Sequence, residues 1–181
     1  MEPRKLLLLG DSGCGKTRLI QTFFRKNIPD AVTYTEFVTI YHHKIRNTTI
    51  LICDVRGNEA VAPYRWQCYD GASMVFFCYA VDDPGSFKNL QEIWIPEFKE
   101  HCSDLATFFL VGNKGDLKFC PNVLNRLSRL RLHPVLRFQA VQLLKKHRSI
   151  KGFYECSVCN AESVDAVFNA AFGCISTHNE S

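Results

Sequence analysis

The 181-residue chain is poor in long apolar runs. Leu6–Leu9 is too short for a signal-peptide core and runs straight into Gly10 and Asp11. No stretch approaches the length that crosses a bilayer. A strong charge excess is missing too: 22 basic and 18 acidic residues leave +4, too little to argue for nucleic acid without a concentrated patch. Repeats, low-complexity tracts and linkers are absent, and the length suits one well-cored domain rather than two. Cysteine is plentiful, but nine is an odd number and the spacing matches no secreted disulfide framework. Cys156-Ser-Val-Cys159 is formally CxxC, with no second pair at zinc-like spacing, so a metal or redox use is the minor reading. These absences predict a soluble cytoplasmic protein with reduced thiols and no nucleic-acid partner. It would reach a membrane, peripherally, only through lipid or a partner.

What is present is a steady alternation of short apolar runs and helical patterns. Lys5–Leu9, Phe37–His43, Thr49–Asp54, Ser73–Val81, Thr107–Val111 and Gly152–Cys156 read as strands. Lys16–Lys26, a segment opened by Pro84, Arg137–His147 and Val164–Ile175 read as helices. The pattern predicts one α/β domain over residues 1–181, a mainly parallel sheet with helices on both faces.

Gly10-Asp-Ser-Gly-Cys-Gly-Lys-Thr17 matches G-x-x-x-x-G-K-[ST] between a strand and a helix. Glycines let the amides of Asp11, Ser12, Gly13, Cys14 and Gly15 turn inward around phosphate oxygens, and the helix N-terminus adds its own donors. Lys16 would neutralise the β/γ oxygens and Thr17 would ligate Mg²⁺. Downstream, Asn113-Lys-Gly-Asp116 follows an apolar strand. A carboxylate at Asp116 can accept from the N1–H and exocyclic amine of guanine, donors that adenine does not offer. Glu155-Cys-Ser157 supplies a further base-side loop, with the Val158 N–H near the guanine oxygen. The expected ligands are GTP or GDP with Mg²⁺.

Over nearly its whole length the sequence resembles the Ras superfamily of small GTPases, and within it the Rho family. GDSGCGKT is similar to the family's GDGACGKT, and IWIPEFKEHC to its KWTPEVKHFC. The long Asp116-to-Glu155 interval holds a segment, 121–132, where Rho proteins carry an insert helix. The resemblance implies a three-layer G-domain with a six-stranded sheet and a GTP/GDP-driven switch in signalling to the cytoskeleton. It implies that Thr35 closes on the γ-phosphate and Mg²⁺, that Asp54 holds Mg²⁺ through water, and that the Gly57 amide senses the γ-phosphate. Asn113, Lys114 and Asp116 would read the base. Effectors would dock on Thr35, Phe37 and Arg56, exchange factors and GAPs would act on a monomer, and catalysis would fall to Asn58, Gly57, Lys16 and Ser12.

The departures cluster around hydrolysis and nucleotide retention. Asn58 stands where the family has the Gln that orients the attacking water. It is one methylene shorter, roughly 1.5 Å of reach. Ser12 replaces a glycine of the phosphate loop, as in the Rnd subgroup, which also lacks that Gln and stays GTP-bound. Both predict an impaired GTPase. Arg56 replaces a small Ala and could point to solvent, pair with Glu59 or a partner, or act as an arginine finger in cis. Ile28 replaces a Phe that flanks the guanine, and Cys159 a lysine, which predicts faster nucleotide release. Two further functions stay open: a nucleotide-binding scaffold with frozen switches, and a fast-exchanging GTPase. His178 stands where a prenylated Cys would sit, so the protein is unprenylated or the sequence lacks a tail; Cys174 is read as structural before acylated. Arg126, Arg129 and Arg131 among leucines suggest a solvated insert helix, with a partner or anionic membrane as the alternative.

Overall fold

Side-chain alternation decides the layout. The computed structural model of the chain describes residues 3–25, 29, 32–102, 106–147 and 149–176. In chain order the elements are β1 (Arg4–Leu9), α1 (Lys16–Phe23), β2 (Val32–Tyr34), β3 (Val38–Ile45), β4 (Thr48–Val55), α2 (Ala62–Arg65) and β5 (Ala72–Ala80). They continue with α3 (Pro84–Asn89), α4 (Ile95–His101), β6 (Thr107–Asn113), α5 (Pro121–Arg129), α6 (Arg137–Lys146), β7 (Ile150–Glu155) and α7 (Ala161–Ser176).

β1 sends Leu7 and Leu9 to one face of the sheet and Leu6 and Leu8 to the other, and all four are wholly buried. A strand apolar on both sides needs a helical layer on each. On one side Leu19 and Ile20 of α1 meet Val164, Val167 and Phe168 of α7. On the other lie Phe87, Phe98 and Leu143 of α3, α4 and α6. The result is the expected three-layer α/β domain.

The sheet has seven strands in the order β2-β3-β4-β1-β5-β6-β7, so the expected count of six is corrected. The added strand, β2, pairs antiparallel with β3 through Val32↔Tyr41, Thr33↔Ile40 and Tyr34↔Thr39. Three residues carry too little alternation to be read as a strand, yet they pair the otherwise open edge of β3. β3 and β4 form an antiparallel hairpin that turns at Arg46, in the left-handed region at φ 51°. The remaining pairs are parallel. The chain leaves β1 toward β4 and later crosses to β5, so the strand order reverses at β1. A crevice opens at the C-terminal strand ends there, where α/β sheets place ligands.

Between α3 and α4 the helix widens to a π turn, Leu90–Trp94. Pro96 follows, and its ring can neither donate to nor share space with the carbonyl four residues back. The π turn holds Trp94, whose ring lies 4.0 Å from the Arg65 guanidinium carbon of α2. Arg65, nearly fully buried, donates from Nε to Glu97 Oε1 at 2.8 Å and from Nη2 to Glu97 Oε2 at 2.5 Å. The Tyr69 hydroxyl donates to Glu97 Oε1 at 2.6 Å. Burial of Glu97 raises its pKa, but the bonds from Arg65 and Tyr69 outweigh it and the net shift is downward. The folded chain therefore takes up this proton less readily than the unfolded chain. The stabilisation is present above the ordinary carboxylate range and is lost as pH falls through the depressed value. Glu97→Gln is expected to cost about 2 kcal/mol at neutral pH, the scale of a charged hydrogen bond. It should also narrow the fall in melting temperature between pH 7 and pH 4. An unchanged acid response would show that Glu97 does not set it.

No helix among the described residues is long and apolar enough to cross a membrane.

Candidate functional site

The phosphate-loop sequence turns sharply out of β1. A Cβ at Gly10 would lie 2.1 Å from the Cys78 carbonyl oxygen, so only glycine passes there. Gly15, left-handed at φ 103°, caps α1 and points its first amides into the crevice. Lys16 follows, 6% exposed, and its ammonium donates to the carbonyl oxygens of Gly10 at 2.7 Å and Asp11 at 3.0 Å. Among the described residues it makes no ion pair with a carboxylate. A buried cation met only by neutral acceptors suits an anionic ligand.

The Thr17 hydroxyl donates to the Asp54 carboxylate at the end of β4. Burial raises the pKa of Asp54, opposed by the Thr17 bond and by the charges of Lys16 and Arg56. Two hard oxygen donors meet here, and no set of three or more His, Cys, Asp or Glu side chains that could hold a metal occurs among the described residues. That donor set fits Mg²⁺, which takes one or two carboxylates and fills its other positions with water and phosphate.

Three loops are tied together at the opposite end. Asn113 Nδ2 donates to the Cys14 carbonyl at 3.0 Å, and the Cys156 thiol donates to Asn113 Oδ1 at 3.2 Å. Burial above all, with Glu155 adding to it, pushes that thiol up to about 12, so Cys156 acts as a neutral donor and not as half of a reactive CxxC. The Ser157 hydroxyl donates to Asp116 Oδ1 at 2.5 Å and accepts from the Cys159 N–H at 3.0 Å. Ser157 thus aims Asp116, and Lys118 pairs with Glu155 at 2.6 Å behind it.

Between the two ends lies a cavity of about 640 Å³. Ser12, Gly13, Gly15, Lys16, Thr17, Asp54, Gly57 and Asn58 line it at one end, and Asn113, Lys114, Asp116 and Val158 at the other. With Arg56, thirteen of the residues singled out in the sequence are therefore brought together. Asp11, Cys14, Thr35 and Ser157 are not among the lining residues. The side chain of Cys14 is buried in the core, while Asp11 turns away and accepts from Asn89 Nδ2 and Trp94 Nε1, both at 2.7 Å. Thr35 is exposed, and its hydroxyl both donates to the Val38 carbonyl and accepts the Val38 N–H at 3.0 Å. Phe37 is half-buried, and its carbonyl accepts the Arg56 N–H at 2.9 Å.

Asn58 is exposed and caps the short turn Glu59–Val61, its Oδ1 accepting the Ala60 N–H at 3.0 Å. Arg56 lines the cavity, is exposed, and pairs with no carboxylate among the described residues, so of the three readings the Glu59 pair is not formed. Ile28 lies outside the described residues. Arg126 lies on an exposed helix face as expected, but it also donates to the Asp82 carbonyl at 2.9 Å and to Asp82 Oδ2 at 3.2 Å. The Cys174 thiol donates to the Ala170 carbonyl at 3.4 Å.

Sequence reasoning passed over Arg18 and Leu117, which also line the cavity, and Asn89, Trp94 and Asp82, which brace it. Leu117, directly after Asp116, was readable as an apolar wall. The braces carry no spacing signal, because their partners lie tens of residues away.

Gly57 closes the cavity. A Cβ there would stand 2.4 Å from the Gly10 carbonyl oxygen and 2.4 Å from the Ser12 nitrogen. Gly57→Ala is expected to cost about 1–3 kcal/mol as overpacking against backbone, read as a lower melting temperature and weaker nucleotide binding. Unchanged values would show that the segment after Asp54 gives way freely.

A family model described as the Ras family matches residues 5–176. Among curated relatives, GTP-binding protein rho1 of Schizosaccharomyces pombe is 33% identical over 171 residues, covering 93% of this chain and 84% of that protein. GTP-binding protein rho5 of the same yeast is also 33% identical over 171 residues, with the same coverage.

Proposed function

The chain belongs to the Ras family and is a Rho-like small GTP-binding protein; from that premise we propose that it is a Mg²⁺-dependent guanine-nucleotide switch that cleaves GTP slowly. The observation that carries the reading is the single cavity joining buried Lys16 and the Thr17–Asp54 pair to Asn113 and Asp116. Lys16 offers the phosphates a desolvated positive charge, and the amides from Ser12 to Thr17 surround them. Asp116, held by Ser157, pairs with the guanine edge. Thr17 and Asp54 would hold Mg²⁺, which when bound neutralises charge on the phosphate oxygens.

Slow cleavage is supported by two side chains. The Asn58 carboxamide is shorter than the Gln of relatives and its oxygen is spent on the Ala60 N–H. Ser12 lines the cavity where a glycine would leave more space for the attacking water. Single-turnover hydrolysis by purified, GTP-loaded protein tests this; a rate at or above that of an ordinary Rho protein would refute slow cleavage. Identifying the copurifying nucleotide tests the binding assignment.

Effector binding through the switch segments is proposed on the same family basis, with Phe37 and Arg56 already joined at the backbone. A second reading, a scaffold indifferent to nucleotide, is favoured by the engagement of the Thr35 hydroxyl with Val38. Equal partner affinity in the GDP-bound and non-hydrolysable GTP-bound forms would select it, because a ligand without differential affinity shifts no equilibrium.

A further inference from the structure

Asp82 follows β5 and is shared by two cations from separate parts of the chain. Lys114 Nζ lies 3.4 Å from Asp82 Oδ1, and Arg126 Nη2 lies 3.2 Å from Asp82 Oδ2. Arg126 also binds the Asp82 carbonyl, and the Val135 N–H donates to the Val81 carbonyl at 2.9 Å. The C-terminal half of α5 and the segment that follows it are therefore stitched to the end of β5. The Asp82 side chain is 12% exposed and does not line the cavity, whereas Lys114 does. Lys114 thus lines the cavity at the base end while its ammonium pairs with a carboxylate that is not part of the lining. Lys114 is itself left-handed at φ 61°, an uncommon backbone placement for a residue other than glycine.

We propose that Arg126 is a positioning residue for nucleotide retention: by fixing the Asp82 carboxylate it sets the Lys114 wall, and α5 thereby controls how long a guanine nucleotide stays bound. The inference rests on the reading of the cavity as a guanine-nucleotide site. The two cations use different carboxylate oxygens, so Arg126 orients the group without taking the oxygen that Lys114 needs. Arg126 is 57% exposed on its outer side, so a partner with an acidic surface on α5 could draw it off Asp82 and shorten the bound lifetime. Nothing need touch the nucleotide for that to happen.

The experiment is stopped-flow release of a fluorescent GDP analogue from the full chain with Mg²⁺ present. Arg126→Ala is expected to speed release roughly two- to fivefold, the scale of a partly exposed ion pair. Arg126→Lys should restore most of the wild-type lifetime, and Arg129→Ala, on the exposed side of the same helix, should leave it unchanged. In a Lys114→Ala background the Arg126→Ala effect should vanish, which a general loosening of the fold would not produce. Release from Arg126→Ala at the wild-type rate or slower, or an undiminished effect in the Lys114→Ala background, would overturn the inference while leaving the site reading intact. A wild-type chain that takes up no labelled guanine nucleotide would instead overturn the site reading, and the inference with it.

Discussion

An Asn58→Gln protein is expected to hydrolyse bound GTP on the order of 10²-fold faster than the wild type in a single turnover, about 2.7 kcal/mol off the barrier. The extra methylene carries the carboxamide roughly 1.5 Å further toward the cavity that Asn58 already lines. It also takes the oxygen away from the Ala60 N–H, at a cost of about 1 kcal/mol for a lost cap. Activity and stability should therefore move in opposite directions: faster turnover with a slightly lower melting temperature. Ser12→Gly should add to the gain, because both side chains line the same end of the cavity. A double variant no faster than the wild type would show that Arg56, or a step before cleavage, sets the rate.

Lys16→Ala should have the larger effect on binding, weakening GTP and GDP on the order of 10²- to 10³-fold. Truncating one partner of a buried charge pair commonly costs 2–5 kcal/mol or more, and here the phosphate would be the group left unmatched. The folded chain without nucleotide should respond the other way. There the ammonium is held by two carbonyl oxygens and the distant thiol of Cys14, 3.9 Å away, with its desolvation only partly repaid. Melting temperatures measured after stripping nucleotide should therefore fall little or rise, while the increase that added GDP and Mg²⁺ give the wild type should disappear. If the stripped variant is strongly destabilised, Lys16 is chiefly a structural tie between the phosphate loop and the sheet.

The parts that sequence reveals are those whose cause is local. Leu6–Leu9 had to be a strand covered on both sides, and the glycines around Lys16 had to form a tight turn into a helix. Asn113 and Asp116 stand out in the sequence because they follow an apolar strand at a set distance from the phosphate-loop motif, and the fold brings both to the cavity. What stayed hidden depends on partners far along the chain. β2 exists because Val32–Tyr34 find the edge of β3. Arg126 looks like one of three solvated arginines until α5 is folded against Asp82. Asp11, read only for its phosphate-loop amide, proves to have its side chain fastened to α3 by Asn89 and to the π turn by Trp94. Thr35 shows a different limit: its identity is given by resemblance, but its hydrogen bonds are set by the turn with Val38.

The π turn has a practical consequence. The chain holds only two tryptophans, Trp66 and Trp94, and they sit in different surroundings. The Trp94 indole is hydrogen-bonded to the phosphate loop and stacked beneath Arg65, in a dry setting. Trp66, 42% exposed beside α2, stacks on His101 with ring centroids 5.2 Å apart. The molecule thus carries two optical reporters with distinct colours and distinct exposures to solvent, one bonded to the Gly10–Thr17 loop and one beside the segment that bears Asn58.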